Sequence, residues 1–129
     1  MDGTKNIRIE FLEPHQMRYI TVGDYFETDT EIVFQIVKQN DPRKNLLIAL
    51  HEYIEYTLCT DRDITEQEIM EFDLQWEKNH PTGLDDGIEP GDDPKAPYRN
   101  EHRIAENFER QLAEYLGIIW KEYEDNLIY

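Results

Sequence analysis

One helix constrains this chain more than any other segment. Residues 45–59 read NLLIALHEYIEYTLC and follow an Asp41-Pro42 pair. Asp41 is suited to cap a helix N-terminus and Pro42 to its first position, where the missing N–H costs nothing. A helix is therefore predicted from about Pro42 to about Thr60. At about 100° per residue, Leu50, Ile54 and Leu58 fall within about 60° of Leu47 and define a buried stripe. His51 lies at about 40° and Glu55 at about 80°, inside that stripe, with Glu52 at its margin at about 140°. A buried carboxylate costs several kcal/mol unless it is paired or bound to a metal. Whatever fold buries this helix has to bring a partner to His51 and Glu55.

That partner is legible further along. In residues 102–116, HRIAENFERQLAEYL, an apolar stripe runs through Ile104, Ala105, Phe108, Leu112 and Leu116. His102 and Glu109 fall within it and Glu106 sits at its edge. Both helices carry His-x-x-x-Glu, as His51/Glu55 and His102/Glu106. Residues four apart share a helix face, so each pair can grip one ion. The expectation is one metal ion between the two helices, with His51, Glu55, His102 and Glu106 as its ligands. Imidazole favours Zn²⁺ over Mg²⁺ or Ca²⁺, and other divalent metals stay open.

The remaining segments supply the frame. Ile7, Ile9 and Phe11 alternate with Arg8 and Glu10, as in a half-buried strand. Residues 17–22 (MRYITV) are a second strand candidate, and Tyr25-Phe26 with Ile32–Val37 flank a polar segment as a hairpin. Thr65-Glu66-Gln67-Glu68 is a capping box opening a helix to about Asn79, and a short last helix is expected over 120–126. These elements predict one α+β domain spanning 1–129. A small N-terminal antiparallel β-sheet (β-rich residues 5–38) is followed by three to four helices within 42–126. The segment 80–98, HPTGLDDGIEPGDDPKAPY, reads as a long loop. Loops of that length are usually functional or disordered, and its end leads into His102, so it is expected beside the metal.

Composition narrows the function classes. With 13 Lys+Arg against 29 Asp+Glu the formal net charge is −16. That sign opposes direct binding to nucleic-acid phosphates or to anionic membranes and suits cations or a basic protein partner. Eight Tyr, five Phe and two Trp are too many for a solvated, disordered acidic chain. The single Cys59 forms no intrachain disulfide, and it is expected as a buried structural thiol. Without a secretory-type N-terminus or an 18-residue apolar run, a cytoplasmic location is expected. His15 and His80, each beside a Pro, are expected as exposed turn residues. The acids Asp85-Asp86 and Asp92-Asp93 lack calcium-loop spacing and are expected in a solvated loop.

The stretch His51-Glu52-Tyr53-Ile54-Glu55 resembles the H-E-x-x-H signature of zincin metallohydrolases, with Glu in place of the second His. The resemblance implies a zincin-like layout, His51 and Glu55 as ligands, His102 as the third, and Glu52 as general base; the departure at Glu55 weakens the case for hydrolysis more than that for metal binding. The wider pattern HEYIEYTLC (51–59), EPGDDPKAPY (89–98) and EHRIAE (101–106) is similar to a group of small phage and bacterial proteins without an established activity. For a phage-encoded chain the cytoplasm is the host's. Two other readings stay open. Glu52-x-x-Glu55 and Glu106-x-x-Glu109 resemble the magnesium-binding helices of nucleotide pyrophosphohydrolases. The charge alone suits a non-enzymatic acidic mimic of DNA that occupies a basic groove on a partner.

Overall fold

The computed structural model describes residues 5–80 and 89–129. Among them the chain forms three strands and four α-helices. The strands are β1 (Asn6–Leu12), β2 (Gly23–Glu27) and β3 (Glu31–Val37). The helices are α1 (Pro42–Asp61), α2 (Glu66–Asn79), α3 (Arg99–Tyr115) and α4 (Trp120–Asp125). The α+β plan, sheet first and helices after, matches the expectation. The sheet is mixed, however, and not antiparallel throughout. Its order is β1-β3-β2, with β2 antiparallel and β1 parallel to the central β3.

That order explains why residues 17–22 are not a strand. β1 and β3 point the same way, so the chain leaving Leu12 has to cross the end of β3 to start β2 on its far side. Residues 13–22 make the crossing as a 3-10 turn at Pro14–Gln16 and an irregular run. Arg18 pins it: its Nε donates to Asp24 Oδ2 at 2.6 Å, and its guanidinium lies over the rings of Tyr19 and Phe26.

β3 is buried on both faces, with Ile32, Val33, Phe34, Ile36 and Val37 at most 1% exposed. α1 packs across β2 and β3, which leaves β1 at the rim. Ile7, Ile9 and Phe11 pair with Ile32, Phe34 and Ile36 and share their face, yet they stay 43–47% exposed because the helix does not reach them.

The helix ends form as their residues dictate. Asp41 Oδ1 accepts from Arg43 N at 2.9 Å with Pro42 at the first position, and Thr65 and Glu68 satisfy each other's backbone N–H groups. The buried arc of α1, by contrast, is turned away from the leucines. Leu47, Ile48, His51, Glu52, Glu55, Tyr56 and Cys59 are buried, whereas Leu50, Ile54 and Leu58 are only partly covered. The helix is wedged between the sheet and α3, so burial is greatest along the arc that faces both. Glu52, expected at the margin near solvent, is therefore inside. On α3 the buried seam is Glu101, His102, Ala105, Glu109 and Ala113, while Phe108 is 49% exposed. Small residues on that seam let two helix backbones come close. No helix among the described residues is long and apolar enough to cross a membrane.

Candidate metal centre

Where α1 meets α3, three ligand-type atoms converge. His51 Nε2 lies 3.1 Å from Glu55 Oε2 and 3.2 Å from His102 Nδ1. His102 Nδ1 lies 2.9 Å from the same Glu55 oxygen. The triangle is nearly equilateral. Ligands held about 2.0–2.1 Å from a tetrahedral Zn²⁺ sit about 3.3 Å from one another, so the three atoms match one face of such a tetrahedron. All three residues are at least nine-tenths buried.

Each ligand's other polar atom is also held. His51 Nδ1 is 2.7 Å from Glu109 Oε1, and Glu109 Oε2 accepts from the Tyr123 hydroxyl at 2.6 Å. His102 Nε2 is 3.2 Å from Asp92 Oδ1 and 3.5 Å from Glu89 Oε2. Glu55 Oε1 accepts from the Tyr25 hydroxyl at 2.9 Å. A carboxylate behind each imidazole fixes the ring's orientation and tautomer and raises its basicity, as it does in metal sites. The residues come from every layer: Tyr25 from β2, His51 and Glu55 from α1, Asp92 from the 3-10 turn Pro90–Asp92, His102 and Glu109 from α3, and Tyr123 from α4.

The electrostatics describe a cluster that demands positive charge. Burial opposes the charge on His51, but the hydrogen bonds and charges of Glu109 and Glu55 outweigh it and raise its pKa well above the usual value. For His102 burial is likewise overcome, by Asp92, Glu55 and Glu89, which bring it up to about 11. Burial works against the Glu55 carboxylate, yet the two imidazoles draw it down to about 2. The carboxylates around the two rings therefore favour positive charge at this place, which a divalent ion would supply.

Glu52 is placed differently. It is 8% exposed and makes no hydrogen bond among the described residues. Burial, and then the charge of Glu55, push its pKa well up. Its side chain lies flat on β2 at Gly23, where a Cβ would come 2.6 Å from Oε1. It lines two clefts that share it with Glu89 and His102.

Of the expected ligands, His51, Glu55 and His102 are brought together and Glu106 is not. Glu106 is partly covered on the wall of the cleft that His51, Glu52 and His102 also line, and it pairs with Arg110 at 3.5 Å; Glu109, one turn on, is the acid of this helix that reaches His51. The expectation for Asp92 is corrected too: it touches His102 and is not simply solvated. The expected place of the loop beside His102 holds for residues 89–92; Asp85 and Asp86 lie outside the described residues. Sequence reasoning missed Tyr25, Glu89, Asp92 and Tyr123 as supports. Only Glu109, already inside the apolar stripe, carried a signal. His15 and His80 are exposed. Cys59 is buried, and burial raises its thiol to about 12, which makes it a structural residue. Comparison of the chain with protein-family models, with curated proteins and with solved structures gave no match.

Proposed function

We propose that this protein is a single-metal hydrolase in which His51, Glu55 and His102 hold Zn²⁺ and Glu52 is the general base. The observation that carries the metal is the pairing of a near-equilateral donor triangle with a dedicated hydrogen-bond partner behind each donor. Three protein ligands with a fourth position left free are what catalytic zinc sites have, whereas structural sites use four. Bound zinc supplies Lewis acidity and brings a water's pKa to near neutrality. Glu52, buried beside these residues, would be the group to take up a proton from such a water and hand it to the leaving group, once the charge of a bound cation offset the burial that favours its neutral form. Glu109, Asp92 and Glu89 keep the imidazoles aimed, and Tyr25 keeps Glu55 aimed. The magnesium reading has less support, since Glu106 turns to Arg110 and two imidazoles occupy the middle of the carboxylates.

Elemental analysis of protein purified without added metal tests the proposal. One zinc per chain is expected, falling to background in His51→Ala and His102→Ala. Glu52→Gln should keep the metal and the melting temperature while abolishing hydrolysis. Metal lost from Glu52→Gln would make Glu52 a ligand, and full metal content in both histidine variants would remove the site.

A further inference from the structure

One of the two clefts at the centre has walls that specify a ligand. It runs between the crossing segment, α2 and the 3-10 turn Pro90–Asp92, with Glu52, Glu55 and His102 in its lining. Its charge is lopsided. α2 contributes Glu66, Asp73 and Glu77 to the lining. The Arg18 guanidinium in the same lining is bonded to Asp24 at 2.6 and 3.2 Å, and its charge also reaches Asp73 and Glu66.

Asp73 is the acid best placed for a guest. Its Oδ1 accepts from the Tyr98 hydroxyl at 2.6 Å, and its Oδ2 makes no hydrogen bond among the described residues. Trp76, whose indole stacks on the His80 ring at 3.9 Å and 11°, Tyr19 and Tyr98 line the same cleft. Aromatic faces beside a carboxylate are a setting that attracts organic cations. An independent observation points the same way: Glu52, 8% exposed and without a hydrogen bond among the described residues, faces into this cleft. A largely buried carboxylate without a hydrogen bond among the described residues is stabilised by a positive group brought to it.

We infer that this cleft binds the arginine or lysine side chain of a peptide, with Asp73 as its anchor and Trp76 and Tyr98 against its aliphatic stem. A peptide fits better than a small free amine because the second cleft meets the first at Glu52, Glu89 and His102, which gives an extended chain room on both sides of the centre. The inference names the substrate class of the proposed hydrolase and rests on that reading for the reaction, not for the binding.

The test is a titration near about pH 8, followed by the Trp76 indole resonance, with acetyl-Gly-Arg-Gly-amide and its citrulline counterpart, which keeps the shape and loses the charge. Zinc-loaded and chelator-treated protein are compared. The arginine peptide should bind about tenfold more tightly, the worth of one charge-assisted hydrogen bond, and Asp73→Asn should remove most of that preference. Glu77→Gln, on the exposed side of the cleft, should weaken the arginine peptide alone and keeps the test open should Asp73→Asn fail to fold. Equal affinity for the two peptides would overturn the inference, and so would agmatine binding as tightly as the peptide. Arginine preference in a protein that takes up no zinc would sink the metal reading and leave this one standing. Zinc uptake without arginine preference would do the reverse.

Discussion

Glycine 91 shows how closely the centre is built. A Cβ there would come 2.6 Å from His102 Cγ and 2.7 Å from Nδ1, so the backbone lies directly on the imidazole face. Gly91→Ala should tilt the ring away from His51 and weaken zinc 10–100-fold, about what is lost when a metal site's outer partner is removed. Competition with a chromophoric chelator measures this, and unchanged affinity would show that the ring has slack. Asp73 gives the pH dependence. Burial, reinforced by the charges of Glu55 and Asp24 against the bond from Tyr98, raises its pKa from 3.8 to about 7. The native state then holds a proton that the unfolded chain has released, so this group's contribution is greatest near about pH 4 and is lost as pH climbs through 7. Asp73→Asn should match the parent in melting temperature near about pH 4 and exceed it near about pH 8. A variant less stable than the parent at the higher pH would contradict the assignment.

At the scale of elements, the seam between α1 and α3 sets the separation of His51 and Glu55 from His102. Ala105 is 0% exposed and Ala113 1% exposed on that seam. Ala105 stands one turn from both His102 and Glu109. Ala105→Leu should force the helices apart, costing about 1–3 kcal/mol by overpacking, and should lose the metal as well. Ala113→Leu, two turns further on from His102 than Ala105 is, should destabilise while sparing the metal, so denaturant melts and zinc content read together separate the two effects. The caps and the hairpin were legible because each is a local bargain: Asp41 with its own helix, Thr65 with Glu68. The face of α1 was misjudged because hydrophobicity alone located it. Burial there is decided by two neighbours at once, and the polar residues between them are the most enclosed. Residues 17–22 failed for a related reason, since their β-rich composition cannot reveal that β1 takes the parallel place beside β3 and obliges them to cross. Tyr25, Tyr123 and Asp92 were illegible as supports because their role depends on the distant residues they meet, 30, 14 and 10 positions away in Glu55, Glu109 and His102.

For the molecule as a whole, a formal charge of −16 sets like charges against one another in the compact state, and the centre gathers several of them in one buried place. Binding of a divalent ion at the proposed site would be coupled to folding, because the triangle does not exist in the unfolded chain. At a free zinc concentration a hundredfold above Kd, stability should rise by about 2.7 kcal/mol, on the order of 10 °C in melting temperature. Scanning calorimetry with zinc and with a chelator checks this, and superimposable melts would deny the coupling. The triangle also has a consequence in the language of polymers. His51 and His102 stand 51 positions apart, so one ion bound between them would close a loop of about fifty residues. A covalent bridge of that span removes about 4 kcal/mol of disorder from the unfolded ensemble. With one cysteine in the chain, coordination at the proposed site would take the place a disulfide would fill, as a cross-link made and undone by the supply of metal.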